Sequence, residues 1–271
     1  MVLSTLAFTG MNGLLKYLTD YHAYQLVFFR SGGSLFFTFG ILLKNKIPIL
    51  GKQRKLLAYR GVLGVLSMTL FFMGIHYMSI GSAVALRYIS PIFAAIFAVI
   101  LLRERIKPIQ WIFFLIAFMG VLVLKGLDGT IPTIGLILVL LASVFSGLVY
   151  IVIRRIGQSE HPVVIVNYFM TIATITGGIF SIFYWKTPPI QDLVLLLSLG
   201  VFGFFGQLFM TKAFQLGETN IIAPLKYVEV VFAIIVGVYI LDETYTLWSF
   251  IGMAMIIGGL LMNIWYKRRK F

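Results

Sequence analysis

Leu86-Arg87-Tyr88-Ile89-Ser90-Pro91 and, 139 positions later, Leu225-Lys226-Tyr227-Val228-Glu229-Val230 set a cation at the same point of two apolar stretches. The match extends outward in one register. Phe93-Ala94 falls on Phe232-Ala233, Leu102 on Leu241 and Glu104 on Glu243. Upstream, Gly61, Val62 and Gly64 fall on Gly200, Val201 and Gly203, and Ser4 falls on Ser143; downstream, Gly120 falls on Gly259, with no gap anywhere. An ungapped repeat in an apolar chain bears on mechanism, because two related halves can rock against each other about a site at their interface.

The chain is 60% hydrophobic with a mean hydropathy of +1.00, and only 11% of its residues are charged. Soluble domains carry about a quarter charged residues, so the composition points to the membrane. Ten apolar segments have the roughly twenty residues that a helix needs to cross about 30 Å of hydrocarbon. They run from Val2 to Leu18, Tyr24 to Leu43, Leu57 to Tyr77, Ser82 to Leu102, Pro108 to Leu124, Ile134 to Ile153, Pro162 to Trp185, Leu193 to Ala213, Ile221 to Leu241 and Leu247 to Tyr266. The first lacks a basic leader and a small-residue cleavage site and is read as a helix of the bundle. The connections are too short to carry a soluble domain.

A net charge of +13 would suggest nucleic acid in a soluble protein, but here it is read loop by loop. With a cytoplasmic N-terminus, fifteen cations fall on inner loops and the tail: Lys44, Lys46, Lys52, Arg54, Lys55, Arg60, Arg103, Arg105, Lys107, Arg154, Arg155, Lys267, Arg268, Arg269 and Lys270. Only Lys16, Lys125 and Lys186 fall outside. This bias places both termini in the cytoplasm, and a bacterial inner membrane is the expected location. No aromatic platform accompanies the split cations, which excludes a nucleic-acid interface. The absence of cysteine excludes disulfides and thiolate metal sites.

Five spans per half is an odd number, so residues 1–130 and 131–271 must enter the membrane from opposite sides. The fold expected is an all-α bundle of ten transmembrane helices, built as two inverted five-helix repeats around a central cavity. The equivalent loops agree: the inner one reads Arg103-Glu104-Arg105-Ile106-Lys107 and the outer one Asp242-Glu243-Thr244-Tyr245-Thr246, keeping the glutamate and losing every cation.

The run from Pro91 to Leu102, then Glu104, then a helix from Gln110-Trp111 to the late Gly120, resembles the EamA-type repeat of the drug/metabolite transporter superfamily. A second copy runs from Ala223-Pro224 to Glu243 and Gly259. The resemblance covers essentially the whole chain. It implies a secondary carrier or exporter of small metabolites and says little about which one.

Four cations remain inside spans: Arg30, Arg87, Lys212 and Lys226. A charge at mid-membrane costs about 3 kcal/mol or more, so it faces a wet cavity, a partner or the interface. Arg30 and Arg87 carry the fork that grips carboxylate or phosphate bidentately, and are read as substrate ligands, with snorkelling or a structural ion pair as the other reading. Lys226 is a third ligand; Glu229, one turn on, is either its structural partner or the group that carries a coupling proton. Pro91 and Pro224 are expected to kink their helices beside these cations. Tyr88, Tyr227, Asn167 and Tyr168 complete the expected site, while Asn12 and Gln207 are further polar residues within spans. Lys212 is read as snorkelling and His76 as an interface residue, since no two of the three histidines have metal-ligand spacing. Glu104 and Glu243 are read as caps of the helix that follows each. No cofactor or metal is expected.

These residues suit an alternating-access carrier of a small organic anion or a carboxylate-bearing metabolite such as an amino acid. An exporter of amphipathic or cationic drugs, anchored on Glu229, is the alternative within transport. A lipid-modifying membrane enzyme finds no paired carboxylates, serine nucleophile motif or phosphate-cradling loop here, and a channel finds no filter-like segment.

Overall fold

The computed structural model describes residues 1–102, 107–126, 131–216, 226 and 228–268. Glu104, Pro224 and Tyr227 lie outside the described residues. Among the described residues there is no strand, and the long elements are α-helices: α1 (Val2–Tyr17), α2 (Ala23–Lys44), α3 (Arg54–Ile75), α4 (Ile80–Arg87), α5 (Ser90–Leu102), α6 (Pro108–Gly126), α7 (Thr133–Ile156), α8 (Pro162–Ser181), α9 (Ile190–Leu216), α10 (Val228–Ile240) and α11 (Leu247–Arg268). Six stretches, with α4 and α5 counted as one, are long and apolar enough to cross a membrane. α6, α10 and α11 have shorter apolar cores. The chain is a multi-pass integral membrane protein.

Helix ends buried near lipid leave backbone groups that side chains must satisfy. His22 and His161, again 139 residues apart, cap α2 and α8; each Nδ1 accepts the N–H two residues on, at 3.4 Å from Tyr24 and 3.3 Å from Val163. Pro162 then opens α8, where a missing N–H costs nothing. Glu160 accepts the N–H groups of Lys52 and Gln53 ahead of α3, at 2.6 and 2.5 Å. Lys16 lies within α1, and its Nζ donates to the carbonyls of Ile75 and Met78 at 3.1 and 2.8 Å, closing the end of α3. Glu243 caps a different helix from the one expected. Both its carboxylate oxygens accept the Ile80 N–H at 3.0 Å, so it caps α4, from the other half of the chain, while Tyr245 donates to it at 2.7 Å.

The expected fourth span is broken rather than kinked. α4 stops at Arg87 and α5 starts at Ser90. Proline at 91 has no N–H to offer the Arg87 carbonyl four residues back, and the hydroxyl of Ser143 reaches that end of α4, lying 3.2 Å from the Leu86 carbonyl and 3.4 Å from that of Arg87.

Packing recurs between elements that are one repeat apart. α1 lies on α9 as α7 lies on α3; α2 lies on α9 as α8 lies on α3; α2 pairs with α8, and α6 with α11. Glycine permits the closest approach. A Cβ at Gly120 would sit 2.7 Å from the Gly252 carbonyl oxygen, and one at Gly259 would sit 2.6 Å from that of Phe113. Those are one contact seen twice, since Gly252 is the repeat equivalent of Phe113. Gly33 and Gly200 bring α2 and α9 together, with 2.6 Å from a Gly200 Cβ to the Gly33 Cα. Such small-residue contacts let helix backbones touch where lipid supplies no hydrophobic driving force.

Candidate functional site: a cationic cavity at the broken helix

The break in the fourth span opens onto a central cavity of about 60 Å³, lined by residues of α1, α2, α3, α7, α8 and α9 together with Arg87, Tyr88, Lys226 and Glu229. Metabolite sites are commonly about 300–1,000 Å³, so the cavity here is smaller than a typical metabolite site.

Arg30 is 2% exposed and meets sulfur instead of oxygen. Its Nε donates to Met11 Sδ at 3.2 Å, and its Nη1 to Met68 and Met170 Sδ at 2.7 and 3.8 Å. Thioethers are weak acceptors. Arg60 is 1% exposed, donates from Nη2 to Gln207 Oε1 at 3.2 Å, and lies 4.2 Å from the centre of the Phe169 ring, which Arg30 also approaches at 5.5 Å. Its Nε and Nη1 are buried without a hydrogen-bond partner. Arg60 therefore corrects the loop count: it is a cavity residue, projecting inward from the first two turns of α3. Because α3 begins at Arg54, a cation so near a helix end reads as an interfacial charge until the partner helices are placed around it.

Arg87, the last residue of α4, stacks over Phe71 at 4.4 Å. Lys226 donates to the Tyr150 hydroxyl at 3.0 Å and lies 5.5 and 5.2 Å from the Tyr88 and Tyr150 rings. Glu229, 4% exposed, accepts from Tyr88 OH at 2.5 Å and from Asn12 Nδ2 at 3.2 Å. The i, i+3 spacing did not produce a Lys226–Glu229 pair. Among the described residues the one ion pair is Lys186 to Asp20, at 3.2 Å and largely exposed.

Energies explain why this arrangement is unusual. Taking an ion out of water costs several kcal/mol even after relaxation, whereas a desolvated cation over an aromatic face recovers about 2 kcal/mol. Four cations around one carboxylate, held by rings and sulfurs, form a site deficient in negative charge.

The structure gathers Arg30, Arg87, Tyr88, Lys226 and Glu229 around one cavity. Asn167 and Tyr168 go elsewhere. Asn167 Oδ1 accepts from Thr38 at 2.8 Å, joining α8 to α2, and the Tyr168 hydroxyl donates to the Leu50 carbonyl at 2.7 Å, outside the cavity. Pro91 sits in the first turn of α5; Pro224 and Tyr227 fall outside the described residues. Lys212 is exposed and His76 ends α3, neither lining the cavity. Asn12 and Gln207 serve Glu229 and Arg60 respectively. Reading the sequence missed Arg60 and Tyr150. The repeat offered a clue to the second, since Tyr150 is the equivalent of Met11, which touches Arg30.

Comparison with known proteins agrees with the helical bundle and with the doubled sequence. The EamA-like transporter family matches twice, over residues 1–125 and 133–265. The chain belongs to this family. It is therefore a transporter of small molecules and not an enzyme. Among its relatives, solute carrier family 35 member G1 of Homo sapiens is 26% identical over 99% of this chain and 80% of its own length. The pseudopaline exporter CntI of Pseudomonas aeruginosa (strain UCBPP-PA14) is 26% identical over 95% of this chain and 89% of its own. The S-adenosylmethionine uptake transporter of Rickettsia prowazekii (strain Madrid E) is 25% identical over 99% and 92%. A solved crystal structure matches with a TM-score of 0.62 at 16% identity over 98% of both chains, a likeness of fold.

Proposed function

We propose that this transporter carries a small organic anion, or a carboxylate-bearing metabolite such as an amino acid, by alternating access. One observation carries the reading: four cations and a single carboxylate converge on the cavity at the broken helix. A cationic cargo would meet net repulsion there, which disfavours drug export anchored on Glu229. Arg30, Arg87 and Lys226 grip the substrate, with Tyr88 beside them; the role expected of Tyr227, by its place in the sequence, is to join them. Asn167 and Tyr168 have only a supporting role, through the packing of α8.

Two inverted five-helix repeats, residues 1–130 and 131–271, form ten spans that rock about this centre, with both termini in the cytoplasm of a bacterial inner membrane. The reciprocal glycine contacts of α6 with α11 and the recurring helix pairs support that symmetry. The charge bias supports the orientation even with Arg60 removed from the loop count. Glu229 carries the coupling proton. Relatives named as an exporter and as an uptake transporter leave direction to this chain's own energetics.

A thermal-shift series on the purified protein with organic acids, amino acids and cationic drugs, repeated on Arg87→Ala, tests the reading. Stabilisation by anions that is lost in the variant is expected. Stabilisation by cationic compounds alone would overturn it.

A further inference from the structure

Arg60 has no counterpart in the repeat: the equivalent position is Leu199, which is fully buried. Symmetry of the fold therefore does not require a cation there. Packing does not require one either, because two of its three guanidinium nitrogens have no acceptor. A guanidinium stays charged in proteins, and a buried charge without a partner is retained against a cost of several kcal/mol.

The position of Arg60 indicates what meets that cost. Arg30 and Arg60 stand on the consecutive helices α2 and α3, each roughly 10 Å from the start of its helix at 1.5 Å per residue. Both reach the Phe169 ring, which brings the two guanidinium carbons within about 10 Å of each other. Arg30 is held there by thioethers, which an oxygen anion displaces readily. Gly64 leaves the room: a Cβ on it would stand 3.0 Å from Arg60 Nη1.

We propose that Arg30 and Arg60 form a two-guanidinium clamp across Phe169 for a substrate bearing at least two negative charges, either a dicarboxylate or a phosphate ester. This rests on the anion reading above and goes further, because a single negative charge would leave Arg60 or Arg30 unanswered. Gln207 positions Arg60 for the clamp through its 3.2 Å hydrogen bond.

The test is binding to the full-length protein in detergent, followed by melting temperature, with succinate and hydrogen phosphate as dianions and acetate as the single charge. Succinate or hydrogen phosphate, whichever source of charge fits, stabilises the wild type, and acetate at equal concentration does not. Arg60→Met, which fills similar volume without charge, melts higher than the wild type in the absence of anion, and binds the dianion at least tenfold more weakly. Arg60→Lys, keeping charge without the fork, falls between. Three results would overturn the clamp while leaving the anion reading intact: acetate matching the dianions, Arg60→Met binding them as tightly as the wild type, or Arg60→Met melting lower without ligand. Failure of both dianions to bind overturns the clamp as well, and if cationic compounds bind in their place the anion reading falls with it.

Discussion

The two copies of the repeat build one cavity with different chemistry. At matching positions Met11 faces Tyr150, Arg30 faces Phe169, Met68 faces Gln207 and Arg87 faces Lys226, all of them lining it. Even contacts recur: Arg87 stacks on Phe71, and Lys226 approaches Met210, the equivalent of Phe71, at 3.9 Å. The first copy supplies three arginines, whereas the second answers with the Phe169 ring, the Gln207 amide, the Tyr150 hydroxyl, one lysine and the carboxylate of Glu229 at the position of Ser90. A duplicated frame fixes where side chains point, and divergence within it sets the charge. A carrier with two equally cationic halves would face repulsion across its own centre whenever the halves close.

Making the halves alike should therefore be the most damaging change. Leu199→Arg puts the equivalent of Arg60 at a fully buried site, where the repeat equivalents of Phe169 and Gln207 are Arg30 and Met68. An uncompensated buried ion costs about 3–5 kcal/mol, so the variant should fail to accumulate or melt far below the wild type, as fluorescence-detected size exclusion will show. Wild-type yield and melting would mean that the cavity tolerates a fifth cation and that its asymmetry carries no penalty.

A smaller effect is expected where the copies differ in acidity. Glu229→Gln keeps the hydrogen bond from Tyr88 and removes the charge that Ser90 never had. Uptake into proteoliposomes driven by a pH gradient should fall to the rate seen without a gradient, while exchange with no gradient persists. If the variant still responds fully to the gradient, Glu229 only ties α10 to Tyr88 and Asn12.

Much of this frame was legible in the amino-acid order. The helical, apolar character of the chain, the constant offset and the matching of Arg87 with Lys226 follow from hydropathy and spacing, which are local properties. Arg60 was misread because depth in a membrane cannot be judged from distance to a helix end alone: Phe169 and Gln207, which meet it, are presented by other helices. Glu243 was assigned to the wrong helix for a similar reason. Its neighbour in sequence is α11, yet its neighbour in space is the N-terminus of α4. Lys226 and Glu229 have ideal intrahelical spacing, but Tyr150, Tyr88 and Asn12 reach them first from other elements. Long-range partners decide each of these cases.

Glycine substitutions sharpen the comparison at the level of packing. Gly120→Ala and Gly259→Ala press on backbone atoms in equivalent contacts and should cost the same, about 1–3 kcal/mol each by the usual penalty for overpacking. Gly200→Ala also meets backbone, at Gly33, whereas Gly61→Ala meets first the end of the Ile172 side chain, which can turn away. The repeat-equivalent pair should then differ, with Gly200→Ala the more destabilising by melting temperature. Equal losses at Gly61 and Gly200 would show that the α3–α8 crossing is as rigid as the α2–α9 crossing.

The smallest effect belongs to the two histidine caps, where the copies are most alike. Burial pushes the His22 and His161 imidazoles below their ordinary value, with Lys212 adding to the shift at His161. Each Nδ1 must stay unprotonated to accept its helix N–H. A depressed folded pKa means that the unfolded chain takes up protons first, so this stability is complete above about pH 6.5 and is lost as pH falls through the lower folded value. Melting temperature should decline between about pH 7 and pH 5. Replacing both residues by asparagine, a good N-cap that does not titrate, should flatten that part of the profile and leave the plateau at neutral pH in place. Because the caps serve equivalent helices, each single replacement should remove part of the slope.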